Sequence, residues 1–169
     1  MFLVSDGSRA ERLKIIEKCS DNDMALRILL AAIDFEWTFR RVVLALGYAP
    51  TSQIRADFKQ LKAYTYAGMK KIWKQQVVAC DKSRISLVEF FNVCERFVDG
   101  EKSNWELLQK SHRVRNGIVH GSCGSVAEER GREFSDVFLK ASDALVGLAE
   151  TNGKNIYGRI VRRIPRKRS

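Results

Sequence analysis

The stretch MALRILLAAIDFEWTFRRVVLAL, residues 24–46, decides the fold. It is the long apolar run of the chain, yet it carries Arg27, Asp34, Glu36, Arg40 and Arg41, charges that a lipid span would hardly tolerate. The run therefore reads as a buried helix, and no membrane association is expected. Asp21 or Asp23 can cap its start, Gly47 can supply a left-handed residue past its end, and Pro50 blocks continuation. That makes it the central helix of an all-α fold.

Working outward, three later segments open with Ser-x-x-Glu, in which serine and glutamate satisfy each other's orphan backbone donors: Ser86/Glu89, Ser103/Glu106 and Ser125/Glu128. They predict helices over 86–99, stopped by Gly100; 103–118, stopped near Gly117 or Gly121; and 126–151, stopped by Asn152-Gly153. Between Pro50 and Asp81, Ile54, Phe58, Leu61, Met69, Ile72, Trp73 and Val77 recur at helical spacing, with Gly68 and Tyr64-Thr65-Tyr66 placed to bend or split that helix. A short helix from Arg9 to Lys18 precedes them. No window reads as a strand. The expectation is an up-and-down helical bundle of about five to seven helices. Trp37, Trp73, Trp105 and most of the nine phenylalanines are expected in its core rather than on a base-stacking surface.

At 169 residues the chain fits one domain. Its net charge of +10 is unevenly spread. Residues 154–169 hold Lys154, Arg159, Arg162, Arg163, Arg166, Lys167 and Arg168 and no acid, and removing these seven from the 30 basic residues leaves 23 against 20 acids. This basic C-terminal tail suggests a polyanionic partner, nucleic acid being the commonest, or else a solvated segment. Ile160, Val161 and Ile164 allow part of it to dock on the body. Cys19, Cys80, Cys94 and Cys123 lack Cys-x-x-Cys spacing, so no structural zinc and no other cofactor is expected. Met1-Phe2-Leu3-Val4 is too short for a signal peptide, and the cysteines read as reduced thiols of a cytoplasmic protein.

The chemistry concentrates in Arg115-Asn116-Gly117-Ile118-Val119-His120-Gly121. Histidine titrates near neutrality and can exchange a proton with a ribose hydroxyl or a leaving oxygen. Arginine stays cationic and binds two phosphate oxygens in its planar fork. Asparagine can fix the imidazole or bond the phosphate. In a regular helix Arg115 and His120 would lie roughly 140° apart, so Gly117 and Gly121 suggest a helix opened at the site. Asp34 and Glu36 need partners inside the apolar helix; Arg40 at i, i+4 is the simplest for Glu36, and Arg115 is another. His112 and Arg113 are candidate substrate-binding residues beside the motif, through a His112, Asn116, His120 stripe. Alternatively His112 lies on an exposed helix face and the arginines complement the helix dipole.

These seven residues, in their all-α setting, resemble the signature of the HEPN superfamily: an arginine, a polar residue, a short spacer and a histidine. The resemblance covers residues 20 to 151 and implies a HEPN-like domain over 1–153 followed by the tail. It also implies a homodimer with two motifs in one cleft and metal-independent endoribonuclease activity on single-stranded RNA. Such proteins act in toxin–antitoxin, abortive-infection and CRISPR-linked defence, which implies an antitoxin or defence partner. By position, Arg115 would stabilise the phosphate, Asn116 would be the polar partner and His120 the catalytic acid or base. The tyrosine that some toxins carry two residues after the histidine is replaced by Ser122. Some members of the superfamily are non-catalytic, leaving an RNA- or nucleotide-binding or protein-interaction module as the alternative.

Overall fold

The computed structural model describes residues 9–19, 23–123, 125–158 and 160. Its helices are α1 (Arg9–Glu17), α2 (Met24–Leu46), α3 (Thr51–Gln60), α4 (Tyr66–Trp73), α5 (Leu87–Val93), α6 (Asn104–Val119) and α7 (Glu128–Thr151), with a π-helical turn over Lys74–Val78 after α4. The fold is an all-α bundle, with no strand among the described residues. No described helix is long and apolar enough to cross a membrane.

Helix α2 runs through the centre because its apolar residues point several ways: Ile28, Val43, Leu44 and Ala45 are all buried. Helix α7 lies closest along it. At that contact a Cβ added to Gly131 would stand 2.6 Å from the Met24 Cβ, so only glycine permits the approach. The two acids of α2 are answered separately. Asp34 is wholly buried and takes Arg9 Nε at 3.0 Å and Arg12 Nε at 2.9 Å, which pins α1 to the bundle. Removing one partner from such a buried pair costs about 3–5 kcal/mol. The Arg12 guanidinium also lies 4.1 Å over the Trp37 ring.

The ends of α2 depart from the reading of the sequence. Asp23 occupies the N-cap position without a side-chain cap bond, and Asp21 lies outside the described residues. Gly47 is extended, at φ −65° and ψ 151°, not left-handed. The space favours glycine: a Cβ there would meet the Val43 carbonyl oxygen of α2 at 2.7 Å and Ile54 Cδ1 of α3 at 2.5 Å. The 50–81 segment is split as its composition suggests. Thr65 accepts from the Gly68 N–H at 3.1 Å to start α4, and a Cβ on Gly68 would collide with the Lys62 carbonyl oxygen at 2.2 Å. The π-turn that follows turns Gln76 inward, where it donates to Asp57 Oδ2 at 2.8 Å.

Two of the three Ser-x-x-Glu boxes form reciprocally, Ser86/Glu89 and Ser103/Glu106. The third does not: α7 begins at Glu128 behind Ala127, so Glu128 is the first helical residue rather than the third. Helix α5 stops at Val93, well short of Gly100. Buried Asn104 explains this, since its amide donates to the carbonyls of Phe91, Cys94 and Glu95 while its oxygen accepts from the Phe97 N–H at 2.9 Å. Carbonyls engaged by a side chain no longer serve a continuing helix.

Trp73 and Trp105 are core residues, whereas Trp37 is half-buried and stacks on Tyr157 at 6.0 Å. Past residue 153, Ile156 is buried, Ile160 packs on the core and Arg41 Nε donates to the Ile156 carbonyl at 2.6 Å. Arg159, Val161 and Arg162 to Ser169, which include most of the basic tail, lie outside the described residues. All four cysteines are unpaired.

Candidate functional site

Helix α6 carries Arg115 to Val119, with His120 as its C-cap and Gly121 just beyond, and stays regular through Gly117. It ends three residues before Ser122 in a closure that satisfies the carbonyls of Gly117 and Ile118. The Ser122 N–H donates to the Gly117 carbonyl at 2.9 Å and the Gly121 N–H to that of Ile118 at 3.2 Å, with Gly121 at φ 70°. The expected opening of the helix near Gly117 is therefore absent. The chain turns back over Gly117, and a Cβ there would sit 3.3 Å from the Cys123 Cβ, a tight but not forbidden contact.

Because the helix is regular, Arg115 and His120 leave it on different sides. Arg115 reaches across to α2. Its Nη2 donates to Glu36 Oε1 at 2.9 Å and its Nη1 to Asn116 Oδ1 at 2.9 Å. With side-chain exposures of 25% for Arg115 and 27% for Glu36, the guanidinium is fixed yet still open to solvent. Two bonds leave the outer N–H donors of the fork free for a ligand. Glu36 is thus paired with Arg115 rather than ion-paired with Arg40, whose guanidinium lies 5.1 Å over the Phe58 ring. Burial raises the Glu36 carboxyl above its ordinary value, and the charges of Arg115 and Arg40 pull it back.

His112 is not on an exposed face. It is half-buried, its ring 4.5 Å from that of Tyr66, whose hydroxyl donates to the Leu108 carbonyl at 2.7 Å. Burial, then the charge of Arg115, lowers the His112 pKa, which favours the neutral imidazole. Burial and the nearby Glu36 hold the Tyr66 phenol well above its ordinary value. Arg113 is exposed and has no ion-pair partner among the described residues. His120, also exposed, caps the end of α6, and its imidazole bonds no described residue.

The structure therefore brings Arg115, Asn116 and His112 together and adds Glu36 and Tyr66. His120 stands apart. Eight helical residues separate His112 from His120, about 12 Å along the axis, too far for both imidazoles of one chain to serve one phosphate. Glu36 carried a signal in the sequence, an acid in an apolar helix. Tyr66 carried none, since only the split between α3 and α4 swings it onto α6. Among the described residues no three His, Cys, Asp or Glu side chains converge to hold a metal ion. Comparison with known protein families, with curated protein sequences and with solved structures finds no match.

Proposed function

We propose that this protein is a homodimeric endoribonuclease of the HEPN type, cleaving single-stranded RNA without a metal. The observation that carries the reading is the Arg115 guanidinium, held by Glu36 and Asn116 with its outer donors free, on the same helix that exposes His120. Such a fork suits the charge that builds on a phosphate in the transition state. One His120 would take the proton of the 2′-hydroxyl as O2′ attacks phosphorus. The His120 of a second copy would protonate O5′ as the P–O5′ bond breaks, leaving a 2′,3′-cyclic phosphate and a 5′-hydroxyl. The exposed Val119 beside His120, 56% accessible, gives a second copy an apolar edge to cover. A toxin–antitoxin or antiviral role, with an antitoxin or defence partner, follows from the HEPN resemblance, and an adjacent antitoxin or nucleotidyltransferase gene would support it.

The test is incubation of RNA with the parent, His120→Ala and Arg115→Ala in EDTA. Each substitution is expected to slow cleavage by roughly 10²–10⁴-fold. Equal rates for all three proteins would refute the proposal. One observation favours a second reading, an RNA-binding module without turnover: Asn116 is committed to Arg115, and His120 has no described partner to fix its tautomer. That reading predicts salt-sensitive binding and no cleavage products.

A further inference from the structure

The basic excess of this chain is not confined to its tail. Between residues 51 and 78 stand Arg55, Lys59, Lys62, Lys70, Lys71 and Lys74 against a single acid, Asp57. The Asp57 carboxylate is occupied by Gln53 and Gln76, each at 2.8 Å. All six cations are exposed, and none forms an ion pair with a described carboxylate. The surface of the α3–α4 segment is therefore strongly positive, within the folded body and apart from residues 154–169 in sequence.

That face opens into a cleft. A depression of about 230 Å³ is walled by Arg40, Arg55 and Lys59 around Phe58, with Tyr64 at its edge and Glu36 at its inner end. A second, of about 320 Å³, shares Glu36, Arg40, Arg55 and Phe58 and extends to Trp37. Glu36 is at once a wall of both depressions and the partner of Arg115, so one carboxylate links the cleft to the arginine fork. Of the four cations lining the two depressions, Arg41 is held by the Ile156 and Gly158 carbonyls, and the one lining acid, Glu36, already faces Arg115, which leaves Arg40, Arg55 and Lys59 for a ligand.

We propose that this cleft is the track on which single-stranded RNA lies as it reaches Arg115, with phosphates on Arg40, Arg55 and Lys59 and an unpaired base on Tyr64. The inference rests on the nuclease proposal for the identity of the strand. Tyr64 selects the occupant: its side chain is 63% exposed and offers a ring face that an unpaired base can stack on. A duplex keeps its bases from such a ring, and an acidic peptide would satisfy the cations but leave the ring unused. The cleft also gives Arg115 an entry side. A strand arriving over α3 would meet the guanidinium from the α2 side, past Glu36.

Binding is read with the full chain carrying His120→Ala, so that cleavage does not interfere, using a fluorescent unstructured 12-nucleotide RNA over a range of salt. Arg55→Gln/Lys59→Gln removes two phosphate contacts and should flatten the slope of log K against log salt by about 1.4, at about 0.7 per contact for single strands. Tyr64→Ala should weaken binding roughly tenfold and leave that slope unchanged. The control Lys14→Gln/Lys102→Gln removes the same charge elsewhere and should keep the slope.

The proposal is overturned if Arg55→Gln/Lys59→Gln binds with the slope and affinity of its His120→Ala parent, or if the control flattens the slope equally. It is overturned too if the parent binds no RNA, or if poly-L-glutamate displaces RNA as well as unlabelled RNA does. The two proposals fail separately. Cleavage by the otherwise unaltered protein with no effect of the cleft variants removes the track and leaves the nuclease. Binding lost in the cleft variants, with no cleavage by any protein, removes the nuclease and leaves the track.

Discussion

At the scale of single residues the site turns on Glu36, whose carboxylate does for Arg115 what a rigid scaffold does for a catalytic group. It fixes one end of the fork while Asn116 fixes the other. Glu36→Gln keeps the shape and removes the charge, so the guanidinium should lose its orientation while substrate binding elsewhere persists. The expected outcome is a kcat lowered about tenfold with KM within about twofold of the parent; a raised KM with unchanged kcat would make Glu36 a binding residue instead. His112 yields a prediction on stability. Its pKa in the folded protein is below the ordinary 6.5, by burial and the charge of Arg115. The unfolded chain therefore takes up a proton at a pH where the folded chain does not. The stability contributed by neutral His112 is full above pH 6.5 and is lost as the pH falls through the lower folded value. Urea midpoints measured near pH 7.5 and near pH 5 should fall less in His112→Gln than in the parent.

At the scale of elements the end of α6 separates two glycines that look alike in sequence. Gly121 has φ 70° and open space where a Cβ would go, so Gly121→Ala should cost about 1–2 kcal/mol from backbone conformation alone. Gly117 is inside the helix, where alanine gains up to about 1 kcal/mol against a 3.3 Å contact with Cys123. Chemical unfolding should rank Gly121→Ala as the more destabilising, and the reverse order would contradict the helix closure described. The elements were legible where the signal is local. The span of α2 follows from its apolar run, and the starts of α5 and α6 follow from reciprocal caps that need only residues three apart. The illegible features depend on groups far along the chain. Asn104 ends α5 by binding carbonyls 9 to 13 residues away, and the closeness of α3 favours glycine at residue 47. The same holds at the site. Arg115, Asn116 and His120 could be singled out from spacing, but Arg115 meets Glu36 across 79 residues and His112 meets Tyr66 only after the α3–α4 split.

At the scale of the whole molecule the proposed reaction assigns each chain half of its proton chemistry. Its arginine is anchored toward α2, His112 is half-buried near it, and His120 is exposed at the helix end. The central claim is that two copies complete the site, each giving one His120. The most direct test mixes the parent with His120→Ala at constant total concentration, allows subunits to exchange, and measures RNA cleavage in EDTA against the fraction of parent chains. If only parent–parent dimers cleave, activity follows the square of that fraction, roughly a quarter at an equal mixture. Activity proportional to the fraction itself, roughly a half at an equal mixture, would mean that each chain acts alone and would contradict the account.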